Sequence, residues 1–587
     1  MQLSKDRQPL ISIFLSEADL ADKQSPALFA AKELRYYLGR MTAVSFPIEA
    51  YHEGAKGICV GACSGISTEG LGSDGFTILS RNNQLCLAGG MRGVIYAAYE
   101  LLESLGCRFF THNCELIPTL PNLTLPDDYS ITKKPAFEYR EHNYIDLVNS
   151  PRYAVKCRLN GAKLRIPQNM GGNISYAWYV HTFDRMVPPA VYGESHPEYF
   201  AMVDGQRLVR DRGRTQLCLT NPDVLNICVD AVRKVLHENP ESRIVSISQN
   251  DNYNYCQCPA CAKLDEEEGS PSGSLLHFVN RIAEILEPEF PEVLFDTLAY
   301  TYSRPIPKYV RNRKNVCVRL CSLEACFCHP FTDGHDARPA REGREARAFI
   351  HDLRDWSEKC DRIYIWDYTT CFAHYATPHP NWRVIQPNLQ TMYENNVCGV
   401  FEQANWASRG GVDFNELRAY LLSKLLWDPY CDLDQHRKEF LSYVYGEAAP
   451  YLDAYLDLVC KTADERGDHV GFNDAPLHHF LEEDMLDQYD ALFAKAKAAV
   501  AGDGLRLARV EKAHLSVRYV RLKRATMLRG EYDADEINRF FADWRAHNLS
   551  RFDEWVNLET SHRAMLDGHW RGIAYFEHWT GEEPEVL

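Results

Sequence analysis

The chain of 587 residues has no uninterrupted apolar run approaching the ~18 residues that a membrane-spanning helix needs, so no span is expected. Its first ten residues, Met-Gln-Leu-Ser-Lys-Asp-Arg-Gln-Pro-Leu, lack the apolar core of a secretory signal. A cytoplasmic location is therefore expected, or an exported one if a leader has been removed. Positive charge is in deficit: 64 Lys and Arg face 81 Asp and Glu, a net charge of −17. That argues against nucleic acid as a partner, because phosphates need a basic footprint. No phosphate-cradling Gly-rich turn opens a predicted helix, which weakens a nucleotide-binding open sheet. Nothing in the chain calls for a cofactor.

What is present is ordinary globular composition: 45% hydrophobic and 25% charged residues allow large cores and argue against wholesale disorder. At roughly 150 residues per domain the length suggests two to four domains, or fewer if one is a barrel. Aromatics reach 12%, with 32 Tyr and 10 Trp, which suits both cores and a cleft where rings stack on sugars.

Periodicity divides the chain into three stretches. Residues 1–128 read as a small α/β domain, with strands at Leu10–Leu15, Gly57–Val60, Phe76–Leu79 and Leu85–Ala88 and helices at Ala27–Leu38 and Val94–Leu105. Pro118, Pro121 and Pro126 mark a linker. Residues 129–430 repeat a unit of strand, polar terminus and helix. Predicted strands are Phe137–Ile145, Gly161–Ile166, Ile244–Ser248, Leu294–Tyr300, Val316–Leu320, Ile363–Trp366 and Gly399–Phe401. Predicted helices include Leu275–Leu286, Ala346–Trp356, Leu389–Glu394 and Glu416–Leu426. The alternation predicts a parallel (β/α)8 barrel, with an open doubly wound sheet as its rival. Strands vanish in residues 431–587, which read as a mostly helical region.

The strand ends carry the chemistry. Asp251, Glu324, Asp367 and Glu402 each follow an apolar strand. In a parallel barrel such ends share one rim, so all four are candidate catalytic residues. Glycoside hydrolysis commonly needs two carboxyl groups, one to protonate the leaving oxygen and one to attack or activate water. Where the substrate carries an N-acetyl group, its own carbonyl can be the nucleophile. For any one of these acids a helix cap or an ion pair is the bland alternative. Gln249 and Asn250 precede Asp251, and Arg140 and His181 lie on or after earlier strands; these are candidate substrate-binding groups. Trp178, Tyr302, Trp366, Tyr368 and Trp406 are candidate sugar platforms.

Cys256, Cys258 and Cys261 form C-x-C-x-x-C, and Cys317, Cys321, Cys326, Cys328 and His329 form a second group. Zinc sites favour such spacings. Reduced thiols, or a disulfide in an exported form, are the preferred reading, and no metal is expected.

These residues resemble a known family. Gly93-Val94-Ile95-Tyr96-Ala97-Ala98-Tyr99-Glu100-Leu101-Leu102-Glu103, leading to Gly106-Cys107-Arg108-Phe109, resembles the N-terminal domain shared by α-glucuronidases and β-hexosaminidases. The Ser248-to-Asn252 run with Cys256-Gln257-Cys258-Pro259-Ala260-Cys261 resembles domain of unknown function 4838. Trp366-Asp367-Tyr368-Thr369-Thr370 and the stretch from Leu417 to Pro429 do so too, and the likeness covers about residues 25–465. That group includes glycoside hydrolase family 163. The resemblance implies a retaining endo-β-N-acetylglucosaminidase whose partner is an oligosaccharide or glycoprotein glycan of N-glycan type. Two alternatives stand beside it. One is a hydrolase of uronic-acid glycans, for which Arg140, Arg165, Arg304 and Arg319 are available; the other is a non-catalytic carbohydrate-binding protein.

Overall fold

The structure, a computed structural model, describes residues 1–210, 214–335, 347–531 and 533–568. The chain forms two compact units. The first comprises residues 1–173, 408–455 and 490–514, and the second residues 174–407, 456–489 and 515–587. They do not coincide with the three consecutive stretches read from periodicity, because the chain returns to each unit after leaving it.

The first unit holds a six-stranded mixed sheet of Ser12–Leu15 (β1), Ile48–Ala50 (β2), Gly57–Val60 (β3), Phe76–Arg81 (β4), Gln84–Gly89 (β5) and Ser130–Lys133 (β6). Its order is β6-β4-β5-β3-β1-β2, with β3 parallel to β1 and β5. Helix Pro26–Thr42 (α1) starts where the Ser25 hydroxyl accepts from Leu28 N–H, and Leu34, Leu38 and Met41 bury its inner stripe. Helix Gly93–Ser104 (α2) is apolar almost all round and correspondingly buried. Residues 161–166 do not form the expected strand. Ala162–Leu164 is a 3-10 turn, Arg165 takes φ +48°, and a Cβ at Gly161 would meet Glu141 at 2.3 Å. The bend needs that glycine, and it interrupts any extended run.

Arg140 belongs to this unit and is wholly buried. Its guanidinium pairs with Asp74 at 2.8 Å, donates to the carbonyls of Phe137 and Arg158, and lies over Trp427. Burial pushes the Asp74 carboxyl up, but Arg140 and Arg92 more than offset this and leave it below the usual carboxylate range. The substrate-binding role expected of Arg140 is thus corrected to a core ion pair.

The second unit is built on a parallel sheet of Ile244–Ser246 (β7), Leu294–Ala299 (β8), Val316–Cys321 (β9), Ile363–Tyr368 (β10) and Val397–Gln403 (β11), paired in sequence order. A bridge from Tyr176 to Ile244 aligns a further segment beside β7. Helices Pro222–Glu238 (α3), Pro259–Glu268 (α4), Ser272–Leu286 (α5), Phe349–Lys359 (α6) and Ile385–Glu394 (α7) connect the strands. The first residue of the helix expected at Ala346–Trp356 lies outside the described residues.

Sheet alternation puts Val245, Phe295, Val318, Ile365 and Val400 on one face. Asp296, Arg319, Cys321, Tyr364 and Trp366 lie on the other. The architecture is α/β, a parallel barrel-type sheet preceded by a small α/β domain and followed by helices. Among those later helices are Leu433–Tyr445, Ala449–Glu465, Glu483–Ala499, Gly504–Arg524 and Ala534–Ala546.

Candidate active site

The polar face of the sheet in the second unit is organised around a buried ion pair. Asp296 and Arg319 are both wholly buried, with Nε 3.2 Å from Oδ2. Ser246 Oγ donates to Asp296 at 2.6 Å, and Tyr176 Oη donates to it at 3.1 Å. The Arg319 guanidinium reaches the hydroxyls of Tyr176 and Tyr179 and lies against the rings of Tyr364 and Trp366. Burial raises the Asp296 carboxyl above its ordinary range despite Arg319. A charge pair so enclosed fixes the floor from which the strand ends rise.

Two of the four predicted acids lie near the C-terminal ends of β8 and β9. The Tyr300 hydroxyl, just past β8, donates to Oδ1 of Asp251 at 2.9 Å. Asp251 itself is exposed. Glu324, three residues past β9, is half-buried and pairs with Arg304 at 2.7 Å. Arg304 also holds Asp352 at 2.7 Å. The phenol of Tyr368 is raised well above its ordinary value by burial, then by the charges of Cys321, Glu324, Asp251 and Asp367. That of Tyr300 is raised by burial, Asp251 and Tyr368. Asp251 is thus bonded to Tyr300, and Asp251, Glu324 and Asp367 all lie near enough to Tyr368 for their charges to raise its phenol.

Asp367 and Glu402 are placed differently. They face each other across the β10–β11 ladder, while Trp366 and Tyr368 alternate to the other face. The Trp366 indole N–H donates to Gln403 Oε1 at 2.7 Å on that other face. Asp367 and Glu402 are both buried, and the Ser322 hydroxyl donates to Asp367. Burial raises the Asp367 carboxyl to about 6. Burial and then the Asp367 charge raise Glu402 well above its ordinary range. These two acids form a buried pair on the sheet face opposite Trp366 and Tyr368. The strict alternation of a strand is the reason.

The remaining predicted groups divide in the same way. Gln249 is wholly buried, its amide donating to the Leu298 carbonyl and to Ser303 Oγ. Asn250 is buried too, its amide donating to Asp184 at 2.7 Å and to the Thr215 carbonyl at 2.8 Å. Both side chains hold the loop that presents Asp251, which corrects the expectation that they bind substrate. Tyr302 is buried and stacked on Tyr255 at 5.0 Å between centroids, another packing role in place of the expected platform.

His181 adopts φ +58°, its Nδ1 lies 2.8 Å from the Gln249 carbonyl, and its ring sits 6.2 Å from that of Tyr300. It thus flanks the Asp251–Tyr300 pair. Trp366 is half-buried, with Tyr179 6.0 Å away between ring centroids. Trp178 is half-buried, and its carbonyl accepts from Ser246 N–H. Trp406 is 45% exposed, and its indole N–H donates to Glu554 at 2.6 Å.

Distant segments buttress the long loop after β10. Phe372 N–H donates to the Phe472 carbonyl, Glu554 N–H to the Phe372 carbonyl, and Tyr375 N–H to the Phe552 carbonyl.

All 20 cysteines are free thiols. The two groups seen in sequence do not merge into one site. Cys256, Cys258 and Cys261 gather around Cys218, and Cys326, Cys328 and His329 form a separate set. Either set offers metal ligands. Cys317 and Cys321 are buried in β9.

Residues 109–457 match the family described as Domain of unknown function (DUF4838). The chain belongs to that family. No curated protein matches it in sequence. Among solved structures, it is similar to a family GH115 4-O-methyl-α-glucuronidase with specificity for decorated arabinogalactans. That match has a TM-score of 0.57 and 12% identity, and it covers 97% of this chain and 78% of the other. A GH138 enzyme targeting pectin rhamnogalacturonan II aligns with a TM-score of 0.42 and 11% identity, covering 91% of this chain and 72% of that one. A Streptomyces plicatus β-hexosaminidase aligns with a TM-score of 0.38 and 12% identity, covering 78% and 92%. The likeness to the GH115 enzyme is one of fold.

Proposed function

We propose that this protein is a glycoside hydrolase whose catalytic carboxyl pair is Asp251 and Glu324. In its finer form the reading is a retaining endo-β-N-acetylglucosaminidase acting on N-glycan-type oligosaccharides. The observation that carries it is the Tyr300 hydroxyl bond to Asp251 at the strand ends, with the charges of Asp251 and Glu324 both felt by Tyr368.

In this reading Asp251, oriented by the Tyr300 hydroxyl, accepts a hydrogen bond from the acetamido N–H of the sugar at the cleavage point. That turns the acetamido carbonyl toward the anomeric carbon, where it displaces the leaving oxygen. Orientation of this kind supplies about 7–11 kcal/mol in favourable intramolecular cases. Glu324 serves as acid and then base, giving a proton to the leaving oxygen and later taking one from water. Trp366, Tyr179 and Trp406 offer ring faces to flanking sugars. The N-glycan assignment is supported by the Ser248-to-Asn252 run with Cys256 to Cys261 and by Trp366 to Thr370, which resemble domain of unknown function 4838, a group that includes family 163.

The uronic-acid alternative loses most of its cations. Arg140, Arg304 and Arg319 are each ion-paired with a carboxylate inside the fold. A sugar carboxylate would have to compete with those partners.

The test is to incubate the protein with defined N-glycans and uronic-acid oligosaccharides and identify the products by mass. Release of glycans cut within the chitobiose core supports the finer reading. Release of uronic acid alone, or no cleavage of either class, overturns it.

A further inference from the structure

We infer that Cys218, Cys256, Cys258 and Cys261 bind a single structural zinc ion, and that this ion fixes the loop carrying Asp251. The four sulfurs are buried and lie within 4.8 Å of one another. Cys218 Sγ is 3.7 Å from Cys258 Sγ and 4.0 Å from Cys261 Sγ. A tetrahedral ion with Zn–S bonds of ~2.3 Å places its sulfurs ~3.8 Å apart at the tetrahedron's edges. A disulfide requires ~2.05 Å. A polynuclear iron–sulfur cluster interposes its own sulfide between the thiolates and would hold them further apart. Four thiolates and no oxygen donor select a soft divalent ion over calcium or magnesium.

The surroundings suit thiolates. Met202 N–H points at Cys256 Sγ from 3.3 Å, the Arg207 guanidinium lies 3.8 Å from the same sulfur, and Thr220 Oγ1 is 3.2 Å from Cys261 Sγ. Four thiolates around one Zn²⁺ carry a net charge of −2, which Arg207 partly offsets. Hydrogen bonds to the ligating atoms are the usual supporting shell of such a site.

The position gives the ion its role. Cys258 and Cys261 bracket the start of α4, Cys256 lies five residues after Asp251, and Cys218 comes from the segment before α3. Two residues before Cys218, the Gln216 side chain donates to the Asn250 carbonyl at 2.8 Å and accepts from Asn250 N–H at 3.0 Å. The ion would clamp both segments that hold residues 250–252. The effect on catalysis rests on the proposed role of Asp251; the metal content does not.

The experiment measures metal by plasma mass spectrometry on the full chain purified under reducing conditions. About one equivalent of zinc is expected, retained on gel filtration and released by a mercurial. Cys258→Ser/Cys261→Ser should lose that equivalent, and Cys326→Ser/Cys328→Ser should keep it. Because the first variant could misfold, zinc-edge X-ray absorption on the unaltered protein provides the second arm. Four sulfurs at ~2.3 Å support the assignment. A mixed sulfur and nitrogen shell assigns the metal to Cys326, Cys328 and His329 and overturns it. So does a folded protein without metal whose thiols react at once with a chromogenic disulfide. If zinc is present as stated but the mercurial leaves glycan cleavage unchanged, the site stands and its link to Asp251 falls.

Discussion

Asp367 and Glu402 sit directly opposite each other on adjacent parallel strands, both buried, on the sheet face away from Trp366 and Tyr368. Two carboxyl groups so placed cannot both ionise cheaply, and each is raised above its ordinary range.

The first prediction concerns pH. An unfolded Asp titrates near 3.9, and Asp367 in the fold titrates at about 6. Between those values the native state holds the extra proton, so its contribution to stability is complete below about pH 4 and is lost as pH rises through about 6. A shift of this size corresponds to roughly 3 kcal/mol. In Asp367→Asn, the fall in unfolding free energy between pH 4 and pH 8 should shrink by about 2 kcal/mol or more, as measured by urea titration. An unchanged fall would mean that this pair is not buried as a shared acid.

The second concerns turnover. Asp251→Asn and Glu324→Gln should each lower kcat by about 100-fold to 10,000-fold, with little change in thermal midpoint. Tyr300→Phe removes one hydrogen bond to a charged group and should cost roughly 10-fold to 100-fold. A thiazoline mimic of the cyclised intermediate should inhibit tightly, and less so after Asp251→Asn. Trapping a covalent glycosyl adduct on Glu324 instead would replace the acetamide with a protein nucleophile.

The third concerns the floor. Arg319→Met leaves Asp296 buried without its cation and should destabilise the protein by about 3–5 kcal/mol. Chemical denaturation measures this directly. A loss under about 1 kcal/mol would show that water reaches Asp296.

The fourth concerns the sugar platform. Trp406→Ala should raise KM several-fold and leave kcat within a factor of about two, as expected of the proposed platform, which binds a flanking sugar and not the bond being broken. Equal losses in kcat and kcat/KM would instead put Trp406 at the reacting centre.

Much of this was legible in the chain. The strand Gly57–Val60 is found where its apolar run predicts it, and β10 and β11 extend beyond their predicted cores. Asp367 and Glu402, read from the sequence as following their strands, lie inside β10 and β11. The direction of Asp367 was available in Ile363-Tyr364-Ile365-Trp366-Asp367-Tyr368: the aromatics alternate with Ile363, Ile365 and Asp367, so Asp367 belongs with the apolar face. Cys218 gives no local signal, since it lies 38 positions before Cys256 and only the fold closes that gap. Asp296 is likewise silent, an acid inside an apolar strand whose partner lies on the next one. Gln249 and Asn250 look like ligand-binding amides in sequence, but their partners, Ser303 and Asp184, come from short helical turns remote in sequence.

The backbone bonds from Phe372 and Tyr375 to Phe472 and Phe552, and the indole bond from Trp406 to Glu554, bear on how the protein can be divided. The family match stops at residue 457. A fragment trimmed to that boundary would keep every strand of the sheet and both proposed catalytic acids. It would also strip the loop after β10 of the strapping that shapes it. It would also lose the buried residues after 457 that belong to the same compact unit as the sheet, so a negative assay on it would say nothing about the whole enzyme.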